Sequence, residues 1–227
     1  MTREAVELSE TFARIARTLR AGGVQHTLER TVELAVQTVP GCVFAGVSVA
    51  RTHTAIDTPA ATSAVAASAD RLQYESGEGP CLLCLGGQLT MRVDDLLTDE
   101  RWPSWGPRAA ALGIGSMRCF SLRADERTLG VLTLYSPKPA GFTDEDDAVG
   151  AVFAAHAAMA LASAQSEEGL MAALENHNVI GQAQGILMER HHLTPGQAFE
   201  VLRRASHAAR AKLSQIARHV VETGEVP

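Results

Sequence analysis

The chain of 227 residues contains no apolar run that approaches the ~18 residues of a membrane-spanning helix. Its first residues include acids and lack the apolar segment of a secretory signal, so we expect a cytoplasmic protein with no membrane partner. Only four cysteines occur. In a chain of this kind they are expected to be free thiols and not a disulfide framework.

Common catalytic motifs are also missing. The sequence has no Gly-x-Gly-x-x-Gly, no phosphate-binding Gly-Lys-Ser/Thr, no Gly-x-Ser-x-Gly and no His-Glu-x-x-His. Cys81 and Cys84 form one Cys-x-x-Cys pair, which by itself is a weak metal signal. We therefore predict no metal site and no cofactor, and the possibility that Cys81 and Cys84 have a redox role stays open.

Acidic residues are absent from one part of the chain. The formal net charge is -6, yet no Asp or Glu lies between Val201 and Val221. This window carries Arg203, Arg204, Arg210, Lys212, Arg218, His207 and His219. A small basic surface on an acidic protein favours one defined anionic partner, although an ordinary solvated helix face has the same composition.

The first two thirds of the chain alternate helical and strand patterns. Apolar spacing predicts helices over 3–20 and from Leu28 to Val39. Strands are predicted at 42–49, 61–66, 90–93, 116–123 and 128–135, with a hairpin turn at 124–127. This order indicates an α+β domain over residues 1–165, in which an antiparallel sheet has helices on one side.

From Thr143 the pattern becomes wholly helical. Thr143 and Asp146 form a capping arrangement, and four acids follow in the first turn, where the helix dipole favours them. The helix extends towards Arg190 unless Gly169 interrupts it. So long a helix cannot bury itself on one small domain, so we predict a parallel coiled coil with a second copy of the chain.

Residues 166–227 predict a compact three-helix bundle. Thr194 and Gln197 form a capping box around Pro195 and start the second helix, and Gly224 lies just after the third. These short helices must pack on the preceding one around Ile180, Ala183 and Leu187. Gly185 lies within that first helix, and close approach of a neighbouring helix would explain it. The spacing of Phe199 predicts a core position.

The last 55 residues or so resemble the ANTAR domain. The resemblance rests on LENHNVIGQAQGILMER (174–190), QAFEVLRRAS (197–206) and Lys212-Leu213. It implies a dimeric RNA-binding module of bacterial transcription antiterminators, which binds paired hexaloop stems in nascent leader RNA. Residues 1–165 resemble the GAF sensor domain of actinobacterial GAF-ANTAR proteins, through GEGPCL (77–82), RWP (101–103), GIGS (113–116) and GVLTLY (130–135). A sensor of this type implies an unknown small-molecule or other signal.

Cationic, amide and hydroxyl side chains of the ANTAR-like part are the candidates for RNA contact, because cations bind phosphates and amides bind splayed bases. The candidates are His177, Asn178, Gln182, Gln184, Arg190, Arg203, Arg204, Ser206, Arg210, Lys212 and Arg218. The ANTAR pattern commonly has Arg at the position of His177, Lys at that of Gln184 and often Asn at that of Arg210. Since Arg203 and Arg204 are adjacent on a helix, we expect only one of them to face RNA.

Two alternatives to RNA regulation remain open at this point. Some GAF proteins reduce free methionine sulfoxide with cysteines near a small pocket, and Cys81, Cys84 and Cys119 are the thiols available here. The attached ANTAR-like part argues against such an enzyme, which needs no RNA-binding module. A redox sensor that keeps the RNA output and uses Cys81 and Cys84 as its input is the other possibility.

Overall fold

Five antiparallel strands form one sheet in the order β2-β1-β5-β4-β3. The computed structural model describes residues 13–19, 22–51 and 55–227. The strands are β1 (Phe44–Ala50), β2 (Ile56–Ala61), β3 (Thr90–Val93), β4 (Ser116–Ala124) and β5 (Arg127–Ser136). The helices are α1 (13–19), α2 (Val24–Thr38), α3 (Ala64–Ser76), α4 (Pro80–Leu85), α5 (Gly106–Ala110), α6 (Asp144–His191), α7 (Pro195–Ala209) and α8 (Leu213–Thr223).

Helices cover both faces of this sheet. Along β4, Phe120 and Leu122 join a buried cluster with α1, α2 and the first part of α6, whereas Met117 and Cys119 join a second cluster with α3, α4 and α5. Alternate residues of a strand point to opposite faces, so both clusters draw on the same strand. The α+β prediction is confirmed, but the expectation of helices on one side only is wrong.

Local capping explains the main error in the strand predictions. Residues 61–66 are not a strand, because β2 ends at Ala61 and the Ser63 hydroxyl accepts a hydrogen bond from the Ala66 amide at 3.2 Å, which starts α3. At the N-terminus, Ile15 and Leu19 of α1 are buried as expected. Leu8 and Phe12, on which the first helix prediction also relied, lie outside the described residues.

The long helix α6 is continuous for 48 residues and passes Gly169 without a break. At its start the Asp146 carboxylate accepts hydrogen bonds from both the amide and the hydroxyl of Thr143, each at 2.8 Å, as the capping prediction requires. The chain divides into two compact units, Met1–Gln165 and Ser166–Pro227, and this boundary falls within α6.

By length and composition, α6 is the one helix among the described residues that could cross a membrane, which corrects the expectation that no apolar run of the sequence approaches such a length. Its most apolar stretch has a mean hydropathy of 1.4, and 44% of that stretch is buried inside the protein. This is weak evidence, because the core helix of a globular protein meets the same criterion.

Three helices form the core of the C-terminal unit. Ala183 and Leu187 of α6 pack against Leu202 of α7 and Val220 of α8, and all four are fully buried. The predicted capping box is present, since the Gln197 side chain accepts from the Thr194 amide at 2.9 Å. The explanation of Gly185 is wrong, because a Cβ at that position would meet no atom within 4 Å.

Candidate nucleic-acid interface

Arg203 and Arg204 both lie on the exposed surface of α7, and one carboxylate holds them. The Glu200 side chain accepts from Arg203 Nε at 2.8 Å and from Arg204 Nε at 3.1 Å. Both guanidinium groups therefore share one region of the surface, although successive helix residues point about 100° apart. The expectation that adjacency leaves only one of them to face RNA does not hold for this geometry. Hydrogen bonds from Arg203 and then Arg204 lower the pKa of Glu200 to about 2, so the carboxylate stays ionised.

Two of the candidate residues have contacts within the fold. Arg190 donates from Nη1 to the carbonyl of Gly224 at 2.8 Å and so binds the C-terminal end of α8 to α6. The Ser206 hydroxyl donates to the Ala211 carbonyl at 2.6 Å, where α7 ends. Both side chains satisfy carbonyl groups left free at helix ends. Arg190 also lines an open groove of about 710 Å³ with Gln182, Gly185 and Glu189.

The candidates on α6 lie in different settings. Gln184 donates from its amide to the Pro195 carbonyl at 3.1 Å and thereby contacts the first residue of α7. Asn178 and His177 are exposed. His177 follows Leu170 by seven residues, so helical periodicity places it on the same face as that leucine.

The connection between α7 and α8 carries two cations. Arg210 has a φ of 51°, a left-handed conformation that suits Asn or Gly better than Arg. This geometry gives a physical reason for the Asn that the ANTAR pattern often has there. Lys212, which precedes α8, and Arg218, within it, are both exposed.

Phe199 is not a core residue, which corrects the expectation from its spacing. Its side chain is 39% exposed, whereas Ala198 and Leu202 on the same helix are fully buried. The prediction from spacing was wrong because Phe199 lies beside the buried face of α7 that contains Ala198 and Leu202. The packing of α6 and α8 against α7 decides which of these side chains is covered.

An exposed apolar stripe follows each part of α6. Val152, Met159, Leu170 and Leu174 are 44 to 71% exposed. Met159 follows Val152 by seven residues in the first unit and Leu174 follows Leu170 by four in the second, so each pair lies on one face of its part of the helix. In the N-terminal unit, Met159 also lines a groove of about 300 Å³ with Ala16, His156, Ala160 and Ser163.

The thiols of the N-terminal unit are buried, and a third cysteine lies near the Cys-x-x-Cys pair. Cys81, Cys84 and Cys119 are fully buried. The neighbouring Cys119 side chain lowers the pKa of Cys84, whereas burial raises the pKa of Cys81 far above its usual value. Cys119, on β4, was not part of the predicted redox pair, and only the folding of α4 against β4 brings it to Cys84.

A second buried polar group occupies the same side of the sheet. Asp70 of α3 is fully buried and accepts hydrogen bonds from the hydroxyls of Tyr135 and Thr58. Burial raises its pKa to about 7, even though both hydrogen bonds favour the charged form. Nearby in the same cluster, the indole nitrogen of Trp102 and the side-chain amide nitrogen of Gln73 are buried without a hydrogen-bond partner.

A charged cluster links the sheet to the start of α6. The buried Arg118 of β4 forms ion pairs with Asp147 of α6 and with Asp94, and Arg92 of β3 pairs with Asp144 at 2.9 Å. Among the described residues, no group of three or more His, Cys, Asp or Glu side chains is arranged to hold a metal ion.

Two family models cover most of the sequence. The model of the GAF domain matches residues 21–162 and that of the ANTAR domain matches 168–221. The chain belongs to the GAF family and carries an ANTAR domain. The GAF-ANTAR organisation inferred from the sequence is thereby confirmed, and this architecture is that of a regulator more than of an enzyme. None of the curated proteins matches the chain.

Solved structures resemble the GAF fold at low sequence identity. The GAF domain from a phosphoenolpyruvate-protein phosphotransferase of Coxiella burnetii has a TM-score of 0.57 at 15% identity, covering 73% of this chain and 98% of its own. Free methionine-R-sulfoxide reductase from Neisseria meningitidis has a TM-score of 0.56 at 15% identity, covering 74% and 95%. A bacteriophytochrome from R. palustris has a TM-score of 0.59 at 11% identity, covering 88% and 47%. At these identities the likeness concerns the fold alone.

Proposed function

We propose that this protein is a cytoplasmic, dimeric transcription antitermination regulator, whose ANTAR domain binds paired hexaloop stems in nascent leader RNA. Its GAF domain receives a small-molecule signal and controls that output. The observation that carries the proposal is the acid-free segment 201–221 of the ANTAR domain, from which the exposed Arg203 and Arg204 project together on α7. Side chains of this kind bind phosphates and splayed bases of single-stranded loops.

The apolar stripe of α6 supports a parallel dimer. Exposed apolar side chains recur along α6, which contributes residues to both units. The groove beside Met159 offers space for side chains of a second α6. A dimer presents two ANTAR domains, which suits an RNA with two loops, because the second binding event becomes intramolecular.

The ion pairs at the start of α6 supply a route for the signal. Arg118 and Arg92 attach the first turn of α6 to β4 and β3, so a change in the sheet reaches the helix directly. A shift in the packing of the two α6 helices would then change the spacing of the RNA-binding surfaces.

Filter binding to an RNA with two hexaloop stems, measured across salt concentrations, tests the proposal. We expect loop-dependent binding at low salt that weakens as salt rises, since cations displace counterions from phosphates. Arg203→Ala combined with Arg204→Ala should lower the affinity and flatten the salt dependence. Arg71→Ala is the matched control, because Arg71 is an exposed arginine next to Glu75 on α3 of the GAF domain. Absence of loop-dependent binding at low salt would exclude the function.

Thiol chemistry is the second candidate, as an enzyme or as a redox input to the same output. The lowered pKa of Cys84 beside Cys119 favours it, and the complete burial of both thiols and of Cys81 opposes it. Turnover of free methionine sulfoxide with a thiol reductant, lost on Cys84→Ser, would establish the enzyme. RNA binding that responds to peroxide in the wild type and not in Cys119→Ser would establish the redox input.

A further inference from the structure

Phe199 is a partly exposed aromatic side chain on the surface of α7. It is the only Phe, Tyr or Trp after residue 165, and 39% of it is exposed. Single exposed apolar residues are common on protein surfaces, so the meaning of this one depends on what surrounds it.

The surroundings of Phe199 define what that contact can be. Arg203 lies four residues further along α7, on the neighbouring row of the same helix face, and Arg204 is held next to it by Glu200. One turn before Phe199, Pro195 accepts the hydrogen bond from Gln184 of α6. Helical spacing thus places Arg203 beside Phe199, and Glu200 holds Arg204 in the same region of the surface.

This arrangement matches an unpaired nucleotide better than an apolar protein surface. A phenyl ring has no hydrogen-bonding group and cannot bind a phosphate, but it can stack on the face of any base. Bases within a duplex are already stacked and out of reach, whereas loop bases are free to turn out. A second copy of this α7 would bring arginines against arginines, a repulsion that disfavours self-association through this surface.

We propose that Phe199 stacks on an unpaired loop base of the RNA while Arg203 and Arg204 bind the phosphates on either side of it. The inference rests on the proposed function and adds a base-contacting residue to it. It gives a role to Phe199, which the sequence had placed in the core. Arg203 and Arg204 must exchange Glu200 for phosphate when the RNA binds.

The test compares Phe199→Leu with Phe199→Tyr in the full-length protein. Affinity is measured for a hexaloop hairpin and for a duplex of the same stem without a loop, and loop bases are replaced in turn by the fluorescent base 2-aminopurine. Loss of one stacked base costs roughly 5- to 150-fold in affinity. We expect Phe199→Leu to lose that factor for the hairpin only and Phe199→Tyr to keep most of it.

The fluorescence provides a readout that a merely structural role would not change. One loop position should show an altered 2-aminopurine signal on binding to the wild type, at saturating protein, and a different signal with Phe199→Leu. Met171→Ala is the matched control, because Met171 is a 63% exposed apolar residue of the same unit on a different helix. Thermal melting and sedimentation verify that the variants fold and assemble as the wild type does.

The outcomes separate this inference from the proposed function. If the wild type binds the hairpin and Phe199→Leu binds it equally well, stacking by Phe199 is excluded. Equal losses for hairpin and duplex, or a change in assembly without a change in RNA affinity, also overturn it and assign the ring to packing or to a protein partner. If the wild type itself binds no loop RNA, the proposed function fails and not only the role of Phe199.

Discussion

Glu200 shows how one residue can set the availability of two others. Its carboxylate pairs with both Arg203 and Arg204 in the free protein, so the two exposed cations share one anion. Pairs of this kind on a helix surface are weak, because water and salt screen them. A phosphate that carries a full negative charge can therefore replace the carboxylate.

Removing that carboxylate is expected to strengthen RNA binding. Glu200→Gln should raise affinity for loop RNA roughly two- to fivefold at low salt, since the arginines no longer exchange one anion for another. Filter binding measures the effect. Glu75→Gln is the control, because Glu75 pairs with Arg71 and Arg108 in the GAF domain. Unchanged or weaker binding by Glu200→Gln would contradict the expectation.

Asp70 is expected to make the stability of the GAF domain depend on pH near neutrality. Its pKa is raised to about 7 in the folded protein, against an unfolded value near 4, so the folded state binds the proton more tightly. The free energy of unfolding should therefore fall as pH rises from about 4 to about 7 and then level off. Asp70→Asn should remove this slope while keeping the hydrogen bond from Tyr135.

Denaturant unfolding between pH 4.5 and 8 checks the role of Asp70. Asp125→Asn, in the exposed turn between β4 and β5, is the control, and it should keep the slope of the wild type. A slope in Asp70→Asn as steep as that of the wild type would assign the pH dependence to another group.

At the scale of elements, the C-terminal unit contains a helix cap that stabilises α7 and two glycines that destabilise α6. The capping box of Thr194 and Gln197 satisfies amides at the start of α7. Gly181 and Gly185 lie within α6, where a Cβ would meet nothing within 4 Å. Glycine in a helix interior costs conformational entropy that alanine does not, and nothing in the fold compensates for it here.

Two substitutions should therefore act in opposite directions. Gly185→Ala is expected to stabilise the ANTAR domain by about 0.5–1 kcal/mol. Thr194→Ala should destabilise it by about 1 kcal/mol, since an N-cap is lost. Hydrogen exchange of the amides of α7 reports the stability of this unit. Destabilisation by Gly185→Ala would mean that this position has a contact within the folded protein after all.

For the whole molecule, the stripe on α6 matters because it extends along the helix that the two units share. Its members are too exposed to contribute to either core. Burying them against a second copy removes apolar area from water, the main favourable term in association. The same stripe would place two ANTAR domains together, so assembly and RNA recognition are expected to depend on one surface.

Charge placed on the stripe should separate the copies. Leu170→Glu combined with Leu174→Glu is expected to convert a dimer to a monomer in sedimentation equilibrium. Affinity for a two-loop RNA should then fall by 10-fold or more, because avidity is lost, while affinity for a single loop changes little. Met171→Glu, equally exposed but on another face of α6, should leave the dimer intact. A wild-type monomer at micromolar concentration would contradict the assembly.

Sequence patterns of short range determined much of this protein. Spacing and capping residues that are close together in the chain determine four of its features. These are the α+β class, the hairpin between β4 and β5, the caps at Thr143 and Thr194, and the end of α8 at Gly224. The GAF and ANTAR motifs are equally local, which is why the family could be inferred before the fold was known.

Tertiary structure alone decided which residues are covered and which groups meet. The packing of elements decides the second helical layer on the sheet, the influence of Cys119 on Cys84 and the exposure of Phe199. The pairing of Glu200 with two arginines depends on which of several rotamers each side chain adopts. Periodicity identifies an apolar face, but it does not say what lies opposite that face. That information resides in contacts between residues far apart in the chain, and a single sequence does not express them.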